Sequence, residues 1–249
     1  ILIPRVITMK LLIIRHGDPD YTIDSLTEKG WREAQLLSKR ISKLDVKSFY
    51  CSPLGRAKDT ASPTLKAMDR NAEICDWLME FPAVITDPVT KEEVIPWDRK
   101  PKEWTNIHDN YSADNWKNTD IIKTGNSAEL YNNVCASLDE LLEKHGYKRD
   151  GNIYKAENPN CDTVVFFCHF GIECVLLSHL LGISPMVLWH NFVALPASVT
   201  TLVTEERDEG IASFRCISFG DLSHLYAADE PPAFAARFCE QYSNEDERH

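Results

Sequence analysis

The sequence lacks an apolar stretch as long as the ~18 residues that a membrane-spanning helix needs, and it contains no internal repeats. The N-terminal segment ILIPRVITMK is apolar, but it has neither the long hydrophobic region nor the small-residue cleavage site of a signal peptide. Residues 1–8 precede Met9 and the first convincing strand, so we interpret them as an upstream extension or a cloning remnant. These absences predict a cytoplasmic protein without a membrane partner.

Positive charge is also scarce. The chain has 27 Lys and Arg against 38 Asp and Glu, which gives a formal net charge of −11. Broad binding to nucleic acid or to anionic membranes needs clustered cations, so both partner classes are disfavoured. A small anionic ligand stays possible where the few cations converge, and the oligomeric state is left open.

Paired cysteines are absent. The 8 cysteines form no C-x-x-C pair and are irregularly spaced, several of them inside apolar runs. This pattern is typical of reduced thiols that pack as small hydrophobic side chains. It argues against a disulfide framework and against a zinc site. No metal-ligand cluster appears in the sequence, and we predict no metal and no cofactor.

Two continuous apolar runs, at residues 10–14 and 162–168, are typical of strands buried on both faces of a parallel sheet. Apolar and β-branched residues predict further strands at 47–51 and 72–78. They also predict two hairpins, a small one at the surface within 145–160 and a longer one within 197–221.

Apolar residues at helical spacing predict four main helices and a short fifth one, at 25–44, 54–69, 126–144, 169–182 and 185–193. Ser25 with Glu28, and Asn126 with Glu129, have the spacing of a capping box at the start of a helix. Pro63 predicts a kink or a break in the second helix, because proline lacks the backbone N–H.

The order of these elements predicts an α/β fold, specifically a three-layer α/β/α sandwich with a mostly parallel central sheet over residues 9–226. Residues 81–125 are rich in proline and tryptophan and have no clear periodicity. We predict that they form a lid-like insertion over one end of the sheet, since aromatic side chains give loops rigid contact area. Residues 227–249 are predicted to form a C-terminal tail of helical fragments or disorder.

Charged and polar side chains follow the predicted parallel strands at the point where each strand ends. The first strand runs into Arg15 and His16, Arg56 lies just after the second, Glu80 follows the third, and His169 follows the apolar run at 162–168. In open α/β sheets, ligands bind beyond the carboxyl ends of the strands. The five side chains are therefore expected to converge on one site.

This set of residue types suits a phosphate dianion. The planar guanidinium groups of Arg15 and Arg56 match the spacing of phosphate oxygens. Cationic neighbours disfavour a charged imidazole, so His16 is expected to be neutral and to carry the lone pair that a nucleophile needs. Glu80 is placed to protonate a departing oxygen. The two arginines are expected to lower the pKa of Glu80 in the free protein, and a bound phosphate is expected to raise it again.

The sequence resembles the histidine phosphatase superfamily, also called phosphoglycerate mutase-like, over most of residues 9–226. The resemblance is carried by the segments LLIIRHG, LTEKGWREAQLL, SPLGRAKDTA, DWLME, FFCHFGIE and FGDLSHL. It implies a phosphomonoester hydrolase that forms a phosphohistidine on His16, without a metal. Arg15, Arg56 and His169 would bind the transferred phosphoryl group, and Glu80 would be the proton donor, as in the branch of the family whose acid follows the third strand.

Several positions depart from the family pattern. Many members carry Glu or Gln where this chain has Asp18, and mutases of the family carry Asn at the position of Thr22 and an arginine pair in the insertion. The insertion instead offers Arg99 between Trp97 and Trp104, with Lys100 and Lys102 close by. Phe170 stands where Gly is common and is expected to narrow the site, whereas Asp221 and His224 are interpreted as structural.

These departures favour a phosphatase over a phosphoglycerate-type mutase, which is kept as the alternative enzyme. A non-catalytic phosphate-binding domain is the third possibility. The predicted partner is a small phosphorylated substrate, and the candidates for binding the rest of it are Asp18, Thr22, Trp97, Arg99 and Trp104. The identity of that substrate is not fixed by the sequence.

Overall fold

The computed structural model describes residues 8–233 and 242–243. Its strands are β1 (Lys10–Arg15), β2 (Pro19–Asp20), β3 (Ser25–Leu26), β4 (Ser48–Cys51), β5 (Glu73–Ile74), β6 (Ile85–Thr86), β7 (Glu93–Val94), β8 (Tyr147–Asp150), β9 (Ile153–Ala156), β10 (Thr163–Cys168), β11 (Val199–Asp208) and β12 (Ile211–Asp221). The predictions for residues 1–7 and for most of the tail after residue 226 lie outside the described residues.

The helices of the described chain are α1 (Glu28–Ile41), α2 (Gly55–Met68), α3 (Pro101–Trp104), α4 (Ser127–Lys144), α5 (Phe170–Leu181), α6 (Pro185–Asn191) and α7 (Ser223–Tyr226). Short 3₁₀ helices lie at Asp76–Leu78, His108–Tyr111, Asn115–Asn118 and Ile122–Thr124. None of the helices in this part of the chain is long and apolar enough to cross a membrane.

The main sheet is mixed and has the strand order β5-β4-β10-β1-β11-β12-β9-β8. Strands β5, β4, β10 and β1 are parallel to one another, and the strands from β11 outward pair in antiparallel fashion. The predicted fold class is thus confirmed, with a parallel core that the two hairpins extend on one side.

The apolar runs form the centre of the sheet because both faces of β1 and β10 are covered. Leu12 and Phe167 point to one face, where they pack with residues of α1 and α2. Leu11 and Phe166 point to the other face, where they pack with residues of α4, α5 and α6. Alternate side chains of a strand face opposite sides of a sheet, so a run without polar residues requires a layer of helices on each side.

Helix α1 begins later than predicted. Its N-cap is Thr27, whose hydroxyl accepts a hydrogen bond from the Gly30 amide. The predicted capping box of Ser25 and Glu28 is wrong, because Ser25 belongs to β3 and its hydroxyl donates to Asp59 over 2.5 Å. The helix ends at Ile41, about one turn before the predicted end.

Helix α2 continues through Pro63 without the break that was one of the two predicted outcomes. Proline cannot donate to the carbonyl four residues earlier. That carbonyl belongs to Asp59, and it accepts a hydrogen bond of 2.9 Å from the Ser62 hydroxyl instead. The third predicted strand is shortened to β5, and the chain then turns through a 3₁₀ helix at Asp76–Leu78 before it reaches Glu80.

The insertion at residues 81–125 contains the β6–β7 hairpin, α3 and three of the 3₁₀ helices. Its buried Trp104 and Trp116 pack against α6, with ring centroids 4.7 Å from His190 and 5.9 Å from Trp189. Two hydrogen bonds between Val84 and Asn126 join the ends of the insertion, and we call this contact the neck. The Val84 amide donates to Asn126 Oδ1 over 3.0 Å, and the Asn126 amide donates to the Val84 carbonyl over 3.3 Å. Asn126 therefore joins the two ends of the insertion, and it does not form the predicted side-chain cap of α4.

Candidate active site

The two histidines lie beside each other beyond the carboxyl ends of β1 and β10. These strands are parallel neighbours with Arg15 opposite Cys168, and the His16 amide donates to the Cys168 carbonyl over 3.0 Å. The buried rings of His16 and His169 have centroids 5.1 Å apart. Strand register alone thus places both imidazoles in one pocket, as the strand ends predicted.

The hydrogen bonding of His16 defines its tautomer. Nδ1 lies 2.8 Å from the carbonyl oxygen of Gly17, and a carbonyl only accepts, so Nδ1 carries the proton and Nε2 carries the lone pair. Burial holds the pKa of His16 well below its usual value, and the charges of Arg15 and Arg56 lower it further. The ring is therefore neutral at physiological pH.

Two arginines supply the positive charge of the pocket. Arg15 is buried, donates from Nη1 to the Ala194 carbonyl over 2.6 Å and lies 5.6 Å from the centre of the Phe170 ring. Arg56 is held by Asp24, whose Oδ1 lies 2.7 Å from its Nη1. The buried Nε of Arg56 has no hydrogen-bond partner among the described residues. Asp24 and the Ala194 carbonyl were not predicted from the sequence.

His169 is oriented by a serine that the sequence analysis missed. The buried Ser52 hydroxyl lies 2.7 Å from His169 Nε2 and accepts a hydrogen bond of 3.2 Å from the Leu54 amide. With that amide as a donor, the hydroxyl proton is available to Nε2, which leaves the ring proton on Nδ1. Burial, followed by His16 and then the two arginines, holds the pKa of His169 well below its usual value. Its buried Nδ1 has no partner in the described chain.

Glu80 completes the predicted set. Its Oε1 accepts hydrogen bonds from the amides of Phe81 at 2.9 Å and Ile172 at 3.2 Å. The pKa of Glu80 is raised, because burial outweighs the lowering by the two amides, Arg15 and Arg56. The expectation that the arginines would lower this pKa in the free protein is wrong: they act in that direction, but desolvation of the carboxylate is the larger effect.

Trp97 lies beside the proposed acid. A Cβ atom at Gly171 would stand 2.6 Å from Glu80 Oε1 and 3.3 Å from atoms of the Trp97 indole, so only glycine leaves room for both side chains. The indole Nε1 donates to the Phe81 carbonyl over 3.4 Å. Phe170, which was expected to narrow the site, is buried as the first residue of α5 and packs against Arg15.

The other candidates from the sequence have partners of their own. Asp18 accepts a hydrogen bond of 2.6 Å from the Thr27 hydroxyl at the start of α1. Thr22 is exposed, and its hydroxyl donates to Asp20 over 2.6 Å. These contacts give both residues local structural roles, and their binding of substrate stays a prediction.

Arg99 and Trp104, two further candidates of the insertion, have partners within the insertion or on α6. Arg99 Nη2 pairs with Glu103 at 3.3 Å, and Arg99 lines a cavity of ≈ 590 Å³ within the insertion together with Asp87, Asp109 and Asp120. Trp104 stacks on His190. These contacts do not test whether Arg99 and Trp104 bind substrate, which stays a prediction. They give Arg99 an ion pair within the insertion and Trp104 a packing partner on α6.

Arg40 of α1 contacts Asp221 and His224, the two residues near the end of the described chain that were interpreted as structural. Its Nη2 lies 2.9 Å from Asp221 Oδ2, and its Nη1 lies 3.4 Å from His224 Nδ1. Both contacts tie the end of β12 and α7 to helix α1, in agreement with that interpretation.

Glu173 is a second buried carboxyl group that the sequence analysis did not assign. It lies one turn into α5 with 1% of its surface exposed, and neither oxygen has a partner within hydrogen-bond distance among the described residues. Burial raises its pKa to about 7, Thr200 and Arg15 lower the pKa, and the charge of Glu80 raises it. In the same part of the chain, no group of three or more His, Cys, Asp or Glu residues is arranged to hold a metal ion.

Comparison with known families gives a match over most of the chain. The sequence profile described as histidine phosphatase superfamily (branch 1) matches residues 11–216. A protein of Schizosaccharomyces pombe named as a probable phosphatase is 25% identical over 232 residues, covering 87% of this chain and 95% of that protein. The 2,3-bisphosphoglycerate-dependent phosphoglycerate mutase of Thermoplasma acidophilum is 43% identical over 80 residues, covering 28% of this chain and 40% of that one.

Solved structures share the fold. Phosphoserine phosphatase of Entamoeba histolytica, solved with phosphoserine, superposes with a TM-score of 0.56 at 20% identity, covering 87% of this chain and 99% of that one. A mycobacterial glucosyl-3-phosphoglycerate phosphatase superposes with a TM-score of 0.58 at 18% identity, covering 86% and 99%. At these identities the likeness concerns the backbone architecture.

Proposed function

The chain belongs to the histidine phosphatase superfamily, and we propose that it is a phosphomonoester hydrolase in which His16 is the nucleophile and Glu80 the general acid. One observation carries the proposal. The Nε2 lone pair of His16 lies in a pocket with two guanidinium groups and a second neutral imidazole. Such a pocket combines an uncharged nucleophile with positive charge for a tetrahedral dianion.

In the first step, Nε2 of His16 attacks phosphorus in line with the leaving oxygen. The N–P bond forms as the P–O bond to the alcohol breaks, and Glu80 gives its proton to the departing oxygen. Arg15, Arg56 and His169 donate to the non-bridging oxygens, where the transition state carries its charge. The unpartnered Arg56 Nε and His169 Nδ1 are the donors available for this task.

In the second step, the Glu80 carboxylate accepts a proton from water as the water oxygen attacks the phosphohistidine. The new P–O bond replaces the N–P bond, inorganic phosphate leaves, and His16 and protonated Glu80 are restored. The raised pKa of Glu80 suits both roles, because it favours the protonated form that the first step needs and makes the carboxylate a stronger base in the second.

A mutase is the second candidate, and the local 43% identity to a phosphoglycerate mutase favours it. A mutase transfers the phosphoryl group to a second hydroxyl of a bound acid, which requires cations on the leaving-group side. Arg99, the buried cation of the insertion, is paired with Glu103. The two activities separate in one assay that compares transfer between hydroxyls with release of inorganic phosphate from the same substrate.

The test is turnover of p-nitrophenyl phosphate by the wild-type protein, His16→Ala and His179→Ala. His179 is a matched control, because it is bound to Asp139 outside the pocket. We expect His16→Ala to lose activity by several orders of magnitude and His179→Ala to retain it. Denatured wild-type protein quenched during turnover should carry an acid-labile phosphoryl group that His16→Ala lacks. Phosphate binding without turnover in the wild type would instead support a non-catalytic domain.

A further inference from the structure

An exposed aromatic ring lies beside Arg56, one of the proposed phosphate ligands. Tyr21 has 63% of its surface exposed, yet the centre of its ring lies 5.4 Å from the guanidinium carbon of Arg56. It also lies close enough to Arg15 to act on that side chain electrostatically. A large apolar surface in contact with the groups that bind phosphate is available to whatever is attached to the phosphate.

The loop that carries Tyr21 is fixed at both ends. Asp24 has a left-handed backbone (φ 48°), and its carboxylate binds Arg56 at 2.7 Å and the Gly55 amide at 2.6 Å. Asp20 accepts hydrogen bonds from the amide and hydroxyl of Thr22, at 3.0 Å and 2.6 Å. Tyr21 is thus positioned before substrate binds, so little ordering is needed when a ligand covers the ring.

A second aromatic ring lies at the acid. Trp97 packs over Gly171 next to Glu80 Oε1, and Glu80 is the group that protonates the leaving oxygen in the proposed reaction. The alcohol part of the substrate extends from that oxygen. We therefore expect it to extend beside Trp97, while Tyr21 lies against Arg56.

The cations that act on the two histidines are Arg15 and Arg56, whose charges lower the pKa values of both His16 and His169. Arg99 is bound to Glu103, and its cavity is lined by three further carboxylates, Asp87, Asp109 and Asp120. A carboxylate or a second phosphate on the alcohol part that reached Arg99 would meet these four carboxylates beside the guanidinium group.

We propose that this site selects phosphate monoesters whose alcohol part carries an aromatic or other apolar group, held between Tyr21 and Trp97. The inference rests on the proposed function and adds the substrate class to it. Aromatic side chains bind such groups by stacking and by burial of apolar area. Monoesters with a second anionic group are the disfavoured class.

The test uses three esters of primary alcohols, so that differences in leaving-group reactivity stay small: 2-phenylethyl phosphate, ethyl phosphate and 3-phosphoglycerate. We expect kcat/KM of the wild-type protein to be at least about tenfold higher for the phenylethyl ester than for either other compound. Tyr21→Ala and Trp97→Ala should each lower the ratio of phenylethyl to ethyl ester several-fold, and Tyr21→Phe should preserve it. Tyr226→Ala, at a tyrosine of α7 with 65% exposure, is the matched control.

Equal or higher kcat/KM for 3-phosphoglycerate would overturn the proposed substrate class, and so would an unchanged ester ratio in both alanine variants. Similar hydrolysis of all three esters would leave the phosphatase activity intact and refute the selectivity alone. Failure of the folded wild-type protein to hydrolyse any of them, or p-nitrophenyl phosphate, would refute the phosphatase activity and the substrate class together.

Discussion

Replacing Glu173 by glutamine tests whether a buried carboxyl group near the arginines is held in its neutral form. The carboxyl has a pKa of about 7 in the folded protein, against an ordinary value of 4.5. Between these two values the folded chain holds a proton that the unfolded chain has released. The free energy of unfolding therefore falls as pH rises, by roughly 1.4 kcal/mol per pH unit.

Over the 2.5 pH units between 4.5 and about 7, the free energy of unfolding falls by roughly 3 kcal/mol through this group. The full loss of stability is reached above pH 7. Glutamine does not titrate. The free energy of unfolding of Glu173→Gln, minus that of the wild type at the same pH, should therefore rise by about 3 kcal/mol between pH 4.5 and pH 8. The sign is positive because the wild-type protein alone loses stability over this interval through this group.

Urea denaturation followed by circular dichroism at four or five pH values measures the difference directly. Using the difference between two proteins removes the titration of the other groups, including Glu33, whose pKa burial also raises to about 7. A flat or falling difference for Glu173→Gln would show that the carboxyl is ionised in the folded protein, and the reasoning from burial would be refuted.

Three further outcomes are expected from the catalytic pocket. Ser52→Ala removes the hydrogen bond that orients His169, and kcat should fall about tenfold, in line with the free energy of one hydrogen bond; an unchanged kcat would contradict that role. Gly171→Ala places a methyl group against Glu80, so kcat should fall more than tenfold, while inhibition by inorganic phosphate persists. Because the pKa of His16 is lowered and that of Glu80 is raised, kcat/KM should show no loss from His16 protonation near pH 6.5 and should decline as pH rises through the raised pKa of Glu80, where the acid loses its proton. That decline should disappear in Glu80→Gln, and its persistence would assign it to another group.

The parallel core of the fold was predictable from the sequence because burial on both faces leaves a simple signal. Apart from Lys10, Asp162 and Thr163 at their starts, the runs at 10–14 and 162–168 consist of apolar side chains, and they became β1 and β10 nearly unchanged. The edge of the sheet was harder to predict. Glu73 and Ile74 of β5 are exposed, so the length of that strand is set by backbone pairing with β4 and not by an apolar pattern.

The five proposed catalytic side chains could be named from the sequence because each lies at, or within a few residues after, the end of a strand. Arg15, His16 and His169 stand at the ends of β1 and β10, Arg56 lies in the first turn of α2, and Glu80 follows the 3₁₀ helix after β5. The groups that hold these side chains could not be named in this way. Asp24 reaches Arg56 from another loop, and the Ala194 carbonyl reaches Arg15 across 179 positions of sequence. Such contacts depend on how separate segments meet in space. The direction of the pKa shift of Glu80 was mispredicted for a related reason, because the sequence shows neighbouring charges but not the loss of solvent around a carboxyl group.

The neck between Val84 and Asn126 brings the two ends of the insertion together, while the buried Trp104 and Trp116 anchor it to α6. Both of its ends are tied by backbone and amide hydrogen bonds at one point, so the length of chain between them hardly alters the cost of closing the loop. The histidines and arginines, by contrast, belong to segments outside the loop. Exchanging the stretch between Val84 and Asn126 for shorter or longer versions is therefore a practical route to chimeric proteins, in which recognition of the alcohol part is redesigned while the strand ends that carry the phosphoryl chemistry stay as they are.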